Sequence, residues 1–380
     1  MKSTPLVTGK SAALLLAVCA AISSTVDRTA LAATVRVAAK DSSAASKAAA
    51  DFVADGTGDQ EQVMAAIRAL PEAGGTVLLL EGTYDIRRVD GTLGGVTIDR
   101  SRVVLAGQGA ATVLRLAAEQ NTNVVRIIGS GVGDITIRDL TVDANRDQNA
   151  AGTGDPNISH DRFEFCGIKA FRQAPRGPTA PVDTHDVTVR NCAVKNVHRL
   201  NIMLEGPNMR VLDNVLGNAG SDSVEILTGP GIIRGNYVRI TGRTHVAIGS
   251  DRGNSIIMVG NIVDVRKNGD LDIGFRSWAD SQRHVISNNI LTVAPDARCG
   301  LAMDVRGNGA AVTGNTIQGA DSGKRIGLKV EGTGTIISGN FLQHVEICVP
   351  ATSVKRTPVV IGQNVMENST MVHIEDTSPP

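Results

Sequence analysis

The sequence has few aromatic residues and no excess of charge of either sign. Phe, Tyr and Trp make up 2% of its 380 residues, and 38 basic residues balance 38 acidic ones. Without a cationic excess, nucleic acid or an anionic membrane is not expected as the main partner. Without bulky rings, the core must be built from Val, Ile, Leu and Ala. That composition, together with 41 Gly, favours β structure with frequent turns.

Cysteines are also scarce, and their spacing carries no metal-site pattern. Apart from Cys19, the chain holds Cys166, Cys192, Cys299 and Cys348. No metal site is therefore predicted. An oxidising compartment would permit a disulfide, but the spacing does not name a pair.

Long apolar runs are absent except for a short one near the N-terminus. The segment "AALLLAVCAAI" follows Lys2 and Lys10, and Ala30-Leu31-Ala32 offers an A-x-A cleavage site. The run is too short to span a bilayer. We therefore expect residues 1–32 to be a signal peptide and the protein to be secreted, extracellular or periplasmic. Its removal leaves 35 basic and 37 acidic residues.

The remaining chain divides into a short leader and one large domain. Residues 33–50 are rich in Ala and Ser and are predicted to be a flexible leader. The domain, residues 51–380, opens with "GTGDQEQVMAAIRAL", whose helical spacing predicts a helix over 59–70 with Asp59 as its N-cap.

A repeat of 22–28 residues follows this helix. Each unit places an asparagine after a short apolar strand, at Asn191, Asn214, Asn236, Asn261, Asn289, Asn315, Asn340 and Asn364. A second apolar strand lies between successive asparagines, as in "SVEILTG" and "HVAIGSD". A β-propeller would need a period of about 40–45 residues. The repeat therefore predicts an all-β, single-stranded right-handed parallel β-helix, with an asparagine ladder and an N-terminal capping α-helix.

Two segments resemble known families of secreted β-helix enzymes. "DFVADGTGDQEQVMAAIRALPEAGGTVLLLEGTY" resembles the start of the pectate-lyase-like superfamily of polysaccharide enzymes. "DLTVDANRDQNAAG", 139–152, is similar to the catalytic module of mannuronan C5-epimerases. The Asp-Pro-His-Glu motif of that family is missing, since the matching strand reads "LNIMLEG" and keeps only Glu205. "SDSVEI" resembles an acidic strand of polygalacturonases, with Asp222 and Glu225 at the acidic positions.

Strand alternation predicts which side chains face outward from the second apolar strand. We align Val224 with Val246 and Leu271 as inward residues, which places Glu225 and Asp272 in one outward column two coils apart. Their backbones would then lie about 9.6 Å apart, which suits the ~6.5–9.5 Å carboxyl spacing of an inverting glycosidase. His245 lies between them, one coil from Asp270, where it could carry a proton. The predicted catalytic residues are Glu225, Asp272, His245 and Asp270.

Other outward residues are candidates for substrate binding. Trp278 could stack on a sugar ring, and the arginines could bind carboxylates. This predicted set comprises Lys169, Glu205, Arg243, Arg276, Trp278 and Asp304. Asp251, Arg276 and Arg306 fall in one column, where they could simply pair with each other. The insertion 143–163 is long enough to fold over one end of the groove.

Three functions fit this surface. The first is a glycoside hydrolase that uses paired carboxylates on a polysaccharide. The second is a polyuronate lyase or C5-epimerase, with Lys169, His245 or Arg276 in catalysis and Asp270 and Asp272 as Ca²⁺ ligands. The third is a glycan-binding β-helix without activity. The sequence favours the hydrolase and leaves open the sugar, the linkage and endo or exo action. It also leaves open calcium dependence and whether the protein is a monomer or a β-helix trimer.

Overall fold

Three parallel β-sheets run along the chain, and every coil contributes one strand to each of them. The computed structural model describes residues 33–90, 92, 94–150, 165–171, 184–321, 325–350 and 359–374. Within each sheet, neighbouring strands come from successive coils. This arrangement confirms the predicted parallel β-helix. The predicted signal peptide and residues 151–163 of the predicted insertion lie outside the described residues.

The strands are numbered along the chain. Sheet 1 contains β1 Ala33–Ala38, β2 Phe52–Val53, β3 Gly75–Leu79, β6 Val103–Ala106, β9 Ile135–Arg138, β12 Val187–Arg190, β15 Met209–Leu212, β18 Gly231–Arg234, β21 Ile256–Val259, β24 Val285–Ser287, β27 Ala311–Thr313, β30 Ile336–Ser338 and β33 Val360–Ile361. Sheet 2 contains β4 Gly82–Ile86, β7 Thr112–Leu116, β10 Thr141–Asp143, β13 Ala193–Val197, β16 Val215–Ala219, β19 Tyr237–Ile240, β22 Ile262–Val265, β25 Ile290–Val293, β28 Thr316–Gln318, β31 Phe341–Gln343 and β34 Val365–Glu367. Sheet 3 contains β5 Gly94–Ile98, β8 Asn123–Ile127, β11 Ile168–Ala170, β14 Ile202–Gly206, β17 Asp222–Thr228, β20 Arg243–Ser250, β23 Asp270–Ser277, β26 Arg298–Val305, β29 Ile326–Val330, β32 Val345–Pro350 and β35 Thr370–Ile374.

Alternation of side chains along each strand builds one continuous core. In β21, Ile256 and Met258 are fully buried, whereas Ile257 between them is exposed. Branched aliphatic residues fit the inner side of such short strands, and each buried one contributes about 1.5–3 kcal/mol. The inward residues of all three sheets form a single apolar cluster. A coil is defined here as one strand from each sheet, counted from β3–β4–β5 as coil 1.

An asparagine ladder joins successive coils at the corner between sheets 1 and 2. The Nδ2 of Asn214 donates to Oδ1 of Asn236 at 2.9 Å, and the backbone N of Asn214 donates to the same oxygen at 3.0 Å. The same pattern continues through Asn236, Asn261, Asn289, Asn315 and Asn340 to Asn364. These side chains are buried, so their pairing satisfies groups that would otherwise be costly. The predicted ladder is confirmed from Asn214 onward.

Asn191 was wrongly assigned to the ladder. The backbone N of Cys192, not Asn191, donates to Oδ1 of Asn214 at 2.9 Å. Asn191 instead has a φ of 51°, in the left-handed region. The residue before six of the ladder asparagines also takes this conformation: Asp213, Gly235, Gly260, Asn288, Gly314 and Gly339. Only Gly, Asn and Asp adopt it at low cost, which explains the "GN", "DN" and "NN" pairs of the repeat.

A helix closes the N-terminal end of the core, as predicted. Helix α2, Gln60–Ala69, buries Val63, Ala66 and Ile67 in the same cluster as the first coils. Asp59 precedes it but makes no side-chain cap. Its Oδ1 accepts from Gly56 N and its Oδ2 from Asp85 N, both at 2.8 Å. Asp59 therefore ties the entry loop to β4 and does not cap the helix.

Residues 33–50 are ordered parts of the fold and do not form a flexible leader. Strand β1 pairs in parallel with β2, with Val37 opposite Phe52, and helix α1 spans Ala44–Ala49. Val37 and Ala38 are fully buried. The Ala/Ser-rich composition concealed a short alternating strand, "TVRV", which the core recruits at the edge of sheet 1.

Two further expectations concern the cysteines and membrane-spanning segments. Cys166, Cys192, Cys299 and Cys348 are all free thiols. No helix among the described residues is long and apolar enough to cross a membrane.

Candidate functional site on the outer face of sheet 3

The strands of sheet 3 lengthen in the middle of the solenoid and bend. Strands β20, β23 and β26 have eight residues each. In each, two consecutive residues turn toward the core: Ala247 with Ile248, Gly274 with Phe275, and Ala302 with Met303. A Cβ atom at Gly274 would lie 2.3 Å from Leu291 Cδ1 of sheet 2, so this glycine permits close packing inside the core. The missing side chain of Gly274 therefore makes space inside the core and does not create a recess for a sugar on the outer face.

The bend shifts the register that alternation alone predicts. Ile168, Ile202 and Val224 align as expected. Val224, however, pairs with Ile248 instead of Val246, and Val246 pairs with Ile273 instead of Leu271. The later pairs, through β26 to β29, are also displaced by two residues. The central outward column is Lys169, Met203, Glu225, Gly249, Arg276, Asp304 and Lys329.

The predicted pairing of Glu225 with Asp272 is therefore wrong. The residue two coils from Glu225 in its column is Arg276, four positions beyond Asp272. Four residues along a strand and two coils across the sheet separate the two backbones by roughly 15 Å. This exceeds the ~9.5 Å limit for a pair of glycosidase carboxyls.

Arg276 is instead the centre of a buried acidic group, termed here the Arg276 cluster. Its Nη2 donates to Oδ2 of Asp222 at 3.0 Å and to Oε1 of Glu225 at 3.1 Å. Its Nε lies 2.9 Å from Oδ1 of Asp251, an ion pair that is not aligned as a hydrogen bond. The side chains of Arg276, Asp222 and Glu225 are less than one-tenth exposed, whereas that of Asp251 is 30% exposed. Asp251 thus forms the solvent-facing edge of the cluster.

Three carboxyls lie close together around one guanidinium, and their burial and mutual repulsion favour a bound proton. Burial raises the pKa of Asp251, and the charge of Asp222 adds to this, against the lowering effects of Arg276 and a hydrogen bond with Glu225. Burial alone would lower the pKa of Arg276, but the three carboxylates outweigh it and raise the value. The guanidinium stays charged, and the pair of Asp251 and Glu225 is suited to share one proton.

Aromatic and charged side chains continue this surface toward the C-terminus. The guanidinium carbon of Arg306 lies 4.1 Å from the ring centroid of Trp278, and that of Arg276 lies 5.6 Å away. Arg306 Nε donates to Oδ1 of Asp304 at 2.9 Å. Trp278 is half-buried, so part of its surface remains open beside the cluster. Of the predicted column of Asp251, Arg276 and Arg306, only Asp251 and Arg276 pair directly.

Most of the predicted substrate-binding residues lie beneath the surface. Lys169, Glu205 and Asp304 are at most 1% exposed. The Nζ of Lys169 lies 5.0 Å from the ring centroid of Phe171, and Glu205 lies 4.0 Å from Arg252 Nη2. Only Arg243 and Trp278 of this set present substantial surface. The roles of the six in substrate binding stay predictions.

A second, more exposed charge group contains the other predicted catalytic residues; it is termed here the Asp272 cluster. Arg243 donates to Oδ1 of Asp272 at 2.6 Å and to Oδ2 at 2.5 Å. His245 Nδ1 lies 2.9 Å from Asp272 Oδ2. Arg298 Nη1 donates to Asp272 Oδ1 at 3.1 Å and also contacts Asp270. His245, Asp270 and Asp272 do come together, but around two arginines and away from Glu225.

The Asp272 cluster is better suited to hold neighbouring coils together than to transfer protons. Burial would raise the pKa of Asp272, but hydrogen bonds from Arg243, His245 and Arg298 outweigh this effect and lower it to about 2. A carboxyl that stays ionised at all ordinary pH values is a poor acid or base. No group of three or more His, Cys, Asp or Glu side chains in the described part of the chain is arranged to hold a metal ion.

Asp222, Asp251 and Arg298 were missing from the predicted site. Asp251 follows the last residue of β20, and only the extra length of that strand carries it back beside Glu225. The signal for it was the eight-residue apolar-and-small pattern "RTHVAIGS", which is longer than one straight strand of this repeat.

Comparison with known proteins shows a shared fold. No family model matches the sequence, and no curated protein gives a significant match. Among solved structures, the A-module of mannuronan C-5 epimerase AlgE6 from Azotobacter vinelandii is similar with a TM-score of 0.51 and 19% identity. The match covers 86% of this chain and 97% of that one. This chain has the same parallel β-helix fold.

Two further solved structures share the fold at lower identity. DFA-IIIase from Arthrobacter chlorophenolicus A6, in complex with GF2, has a TM-score of 0.55 and 13% identity over 89% of this chain and 88% of that one. ORF18 of Geobacillus virus E2 has a TM-score of 0.56 and 13% identity over 84% of this chain and 59% of that one. The parallel β-helix fold predicted from the sequence is thereby confirmed.

Proposed function

We propose that this protein is a carbohydrate-active enzyme that hydrolyses glycosidic bonds at the Arg276 cluster. Two of its structural neighbours are a mannuronan C-5 epimerase module and DFA-IIIase, which supports a carbohydrate substrate. The observation that carries the choice of reaction is the group of three carboxyls around Arg276, in which the pKa of the most exposed one, Asp251, is raised. A protonated carboxyl beside an ionised one is the machinery that glycoside hydrolysis requires.

The spacing within the cluster favours a retaining mechanism. The carboxyls of Asp251 and Glu225 share a hydrogen bond, so they lie closer together than the carboxyls of an inverting pair. Carboxyls of retaining enzymes lie ~5–5.5 Å apart, and those of inverting enzymes ~6.5–9.5 Å. The inverting mechanism expected from the sequence thus gives way to the retaining one in this proposal.

The proposed steps use Asp251 as acid and Glu225 as nucleophile. Substrate parts the two carboxyls. Asp251 gives its proton to the glycosidic oxygen while a Glu225 oxygen bonds to the anomeric carbon, and the bond from that carbon to the glycosidic oxygen breaks. A water molecule then gives a proton back to Asp251 and displaces Glu225, which releases the sugar with a new hydroxyl. Arg276 stabilises the ionised partners throughout.

A polyuronate C5-epimerase or lyase is the second candidate, supported by the AlgE6 fold and by the resemblance of residues 139–152. Such enzymes need a cation to stabilise the substrate carboxylate as its C5 proton leaves. Arg276, Arg243 and Arg306 already bind protein carboxylates. A uronate would have to displace one of these partners, which makes hydrolysis the better-supported reaction.

Product analysis on a panel of neutral and uronic oligosaccharides tests the proposal. We expect new reducing ends without ultraviolet absorbance, whereas a lyase creates an absorbing double bond and an epimerase incorporates solvent deuterium. Asp251→Asn and Glu225→Gln should each lower kcat by about 10²–10⁴-fold. Activity of the native enzyme should fall as pH rises through the raised pKa of Asp251.

Asp272→Asn is the matched control, because it also removes one carboxylate from the outer face of sheet 3. It should retain activity within a few-fold. Activity that survives Asp251→Asn but is lost in Asp272→Asn would move the site to the Asp272 cluster and contradict the proposal. Saturable glycan binding with no product from any substrate would favour the non-catalytic alternative.

We also propose that the protein is exported. The support is the N-terminal run and the Ala30-Leu31-Ala32 site. Expression of the full chain, followed by N-terminal sequencing of the protein outside the cytoplasm, should find a mature chain that begins at Ala33.

A further inference from the structure

A cleft of about 600 Å³ lies on sheet 2, on a different sheet from the Arg276 cluster. Residues Lys40 and Asp41, after β1, lie beside strands β4 and β7 and the segment Leu116–Ala118. We call it the Arg115 cleft. Its volume falls within the ~300–1,000 Å³ typical of small-ligand sites. The cleft belongs to coils 1 and 2, whereas Asp222 and Glu225 belong to coil 5.

The two acids of the cleft are held by backbone groups. Both carboxylate oxygens of Asp41 accept from Thr83 N, at 2.9 and 3.2 Å. Oδ2 of Asp85 accepts from Gly58 N at 3.1 Å and from Arg87 Nε at 2.8 Å. These hydrogen bonds fix the two carboxylates in place and satisfy part of their hydrogen-bonding capacity. None of them involves Lys40 or Arg115.

Lys40 and Arg115 therefore line the cleft with donors to spare. Neither has an ion-pair partner among the described residues, and Arg115 Nη2 makes only a 3.4 Å contact with Asn145 Oδ1. Together with the terminal nitrogens of Arg87, they give the cleft three cationic groups against two acids. A ligand carboxylate would supply the third negative charge and accept charge-assisted hydrogen bonds from these cationic groups.

The rest of the lining suits a sugar ring. Ala117 and Ala118 supply a small apolar surface, and the amides of Gln120 and Asn145 border it. Sugars present an apolar ring face and polar edges, which such a surface with surrounding amides can match. We propose that the Arg115 cleft is a second carbohydrate-binding site, specific for a sugar that carries a carboxylate.

This binding site does not depend on the proposed hydrolysis. Along the solenoid axis, three to four coil steps of ~4.8 Å separate it from β17, about 14–19 Å in all. Because the cleft lies on sheet 2 and β17 on sheet 3, a polymer that reaches both must also pass around the solenoid, so this axial distance is a lower limit on its length. In the Arg276 cluster, protein carboxylates surround the arginine. In the cleft, Lys40 and Arg115 have no ion-pair partner among the described residues. The two sites together would therefore select a polysaccharide that contains acidic as well as neutral sugars.

Calorimetric titration of the full-length protein with glucuronate, glucose and acetate tests the proposal. We expect saturable binding of glucuronate that weakens with added salt, and none of glucose or acetate at the same concentrations. Arg115→Ala and Lys40→Ala should each weaken glucuronate binding by about tenfold or more. Arg210→Ala removes an exposed arginine of sheet 1 and should leave it unchanged.

Three results would overturn the proposal. Equal binding of glucose would show that the cations are not used, and equal binding of acetate would reduce the cleft to a simple anion site. Glucuronate binding that survives both Arg115→Ala and Lys40→Ala would place it elsewhere. Glu225→Gln should abolish hydrolysis and leave this binding intact, so failure of one proposal is distinguishable from failure of the other.

Discussion

Arg276 and Asp272 lie on the same strand but in opposite electrostatic situations. Arg276 is buried among three carboxyls, and burial, followed by the charge of Asp222, raises the pKa of Asp251. Burial also acts to raise the pKa of Asp272, but hydrogen bonds from Arg243, His245 and Arg298 outweigh it and lower the pKa to about 2. Burial acts in the same direction on both carboxyls, and the hydrogen bonds from neighbouring side chains decide which of the two stays ionised.

Opposite pH effects on stability should follow from these shifts. Asp272 has a folded-state pKa of about 2 against an ordinary value of 3.8 for a free Asp, so it stabilises the fold above pH 3.8 and loses this contribution as pH falls toward 2. Asp272→Asn should therefore cost about 1–2 kcal/mol at pH 7 and almost nothing near pH 2. Asp251 has a raised pKa, so its ionisation destabilises the fold as pH rises above 3.8.

Urea unfolding of both variants across pH measures the two effects. Asp251→Asn should be at least as stable as the native protein at pH 7, with the difference shrinking below pH 4. An Asp251→Asn variant that loses stability at pH 7 and regains it in acid would show that the carboxylate is needed in its charged form. That result would remove the basis for a proton shared with Glu225.

Among the elements, the asparagine corner contributes most to the precise stacking of coils. Each ladder side chain is buried and receives and donates hydrogen bonds along the axis. The left-handed residue before it turns the chain from sheet 1 into sheet 2. These two positions have different requirements, which can be separated by substitution.

Asn289→Ala and Asn288→Gly provide that comparison on adjacent residues. Asn289→Ala leaves the backbone N and Nδ2 of Asn261 and the carbonyl of Met258 without their partner and removes one of the two donors to Asn315 Oδ1, which should cost about 2–4 kcal/mol. Asn288 has a φ of 53°, and glycine occupies the equivalent place in four other coils, so Asn288→Gly should change stability by less than about 0.5 kcal/mol. Thermal unfolding measures both. Similar losses in the two variants would mean that the turn, and not the ladder, holds the corner.

The same elements show why the sequence predicted the ladder well and the site poorly. Few residue types can replace a buried ladder asparagine or the left-handed residue before it. The same residues therefore recur at regular intervals in the sequence, where the repeat is visible. The bend in sheet 3 depends on Ala247, Gly274 and Ala302, which are small enough for either face of a strand. Alternation across such residues does not fix the register, and the observed pairing is displaced by two residues at each step from β17 to β23. That ambiguity was enough to bring Glu225 beside Asp272 in the prediction and beside Arg276 in the structure.

For the whole molecule, stability should be distributed along the solenoid as in other repeat proteins. Each coil packs on its two neighbours, so interface energies add along one dimension. Helix α2 covers the first coils. At the other end, Val360, Val365 and Met371 are 46–63% exposed, and no described element covers them. The C-terminal coils are therefore expected to open first.

Leu216→Ala and Leu342→Ala test this gradient with one chemical change in one column of sheet 2. Both leucines are at most 1% exposed, in coils 5 and 10, and each truncation should cost about 2–5 kcal/mol locally. Hydrogen exchange should show loss of protection confined to β29–β35 in Leu342→Ala, and a lower main unfolding transition in Leu216→Ala. Equal spread of both effects through the chain would indicate one fully cooperative unit.

Because every ladder asparagine contacts the next in the same way, the length of this protein can change in whole coils. Deletion of residues 316–340 would join Asn315 to Phe341 and bring Asn364 against Asn315, with Phe341 in the place of Thr316. Insertion of a copy of the same segment would lengthen the solenoid by one rung. Gene duplication or loss in such a chain can therefore adjust the length of its outer faces, and with it the number of sugars that the proposed sites could span, without redesign of the core.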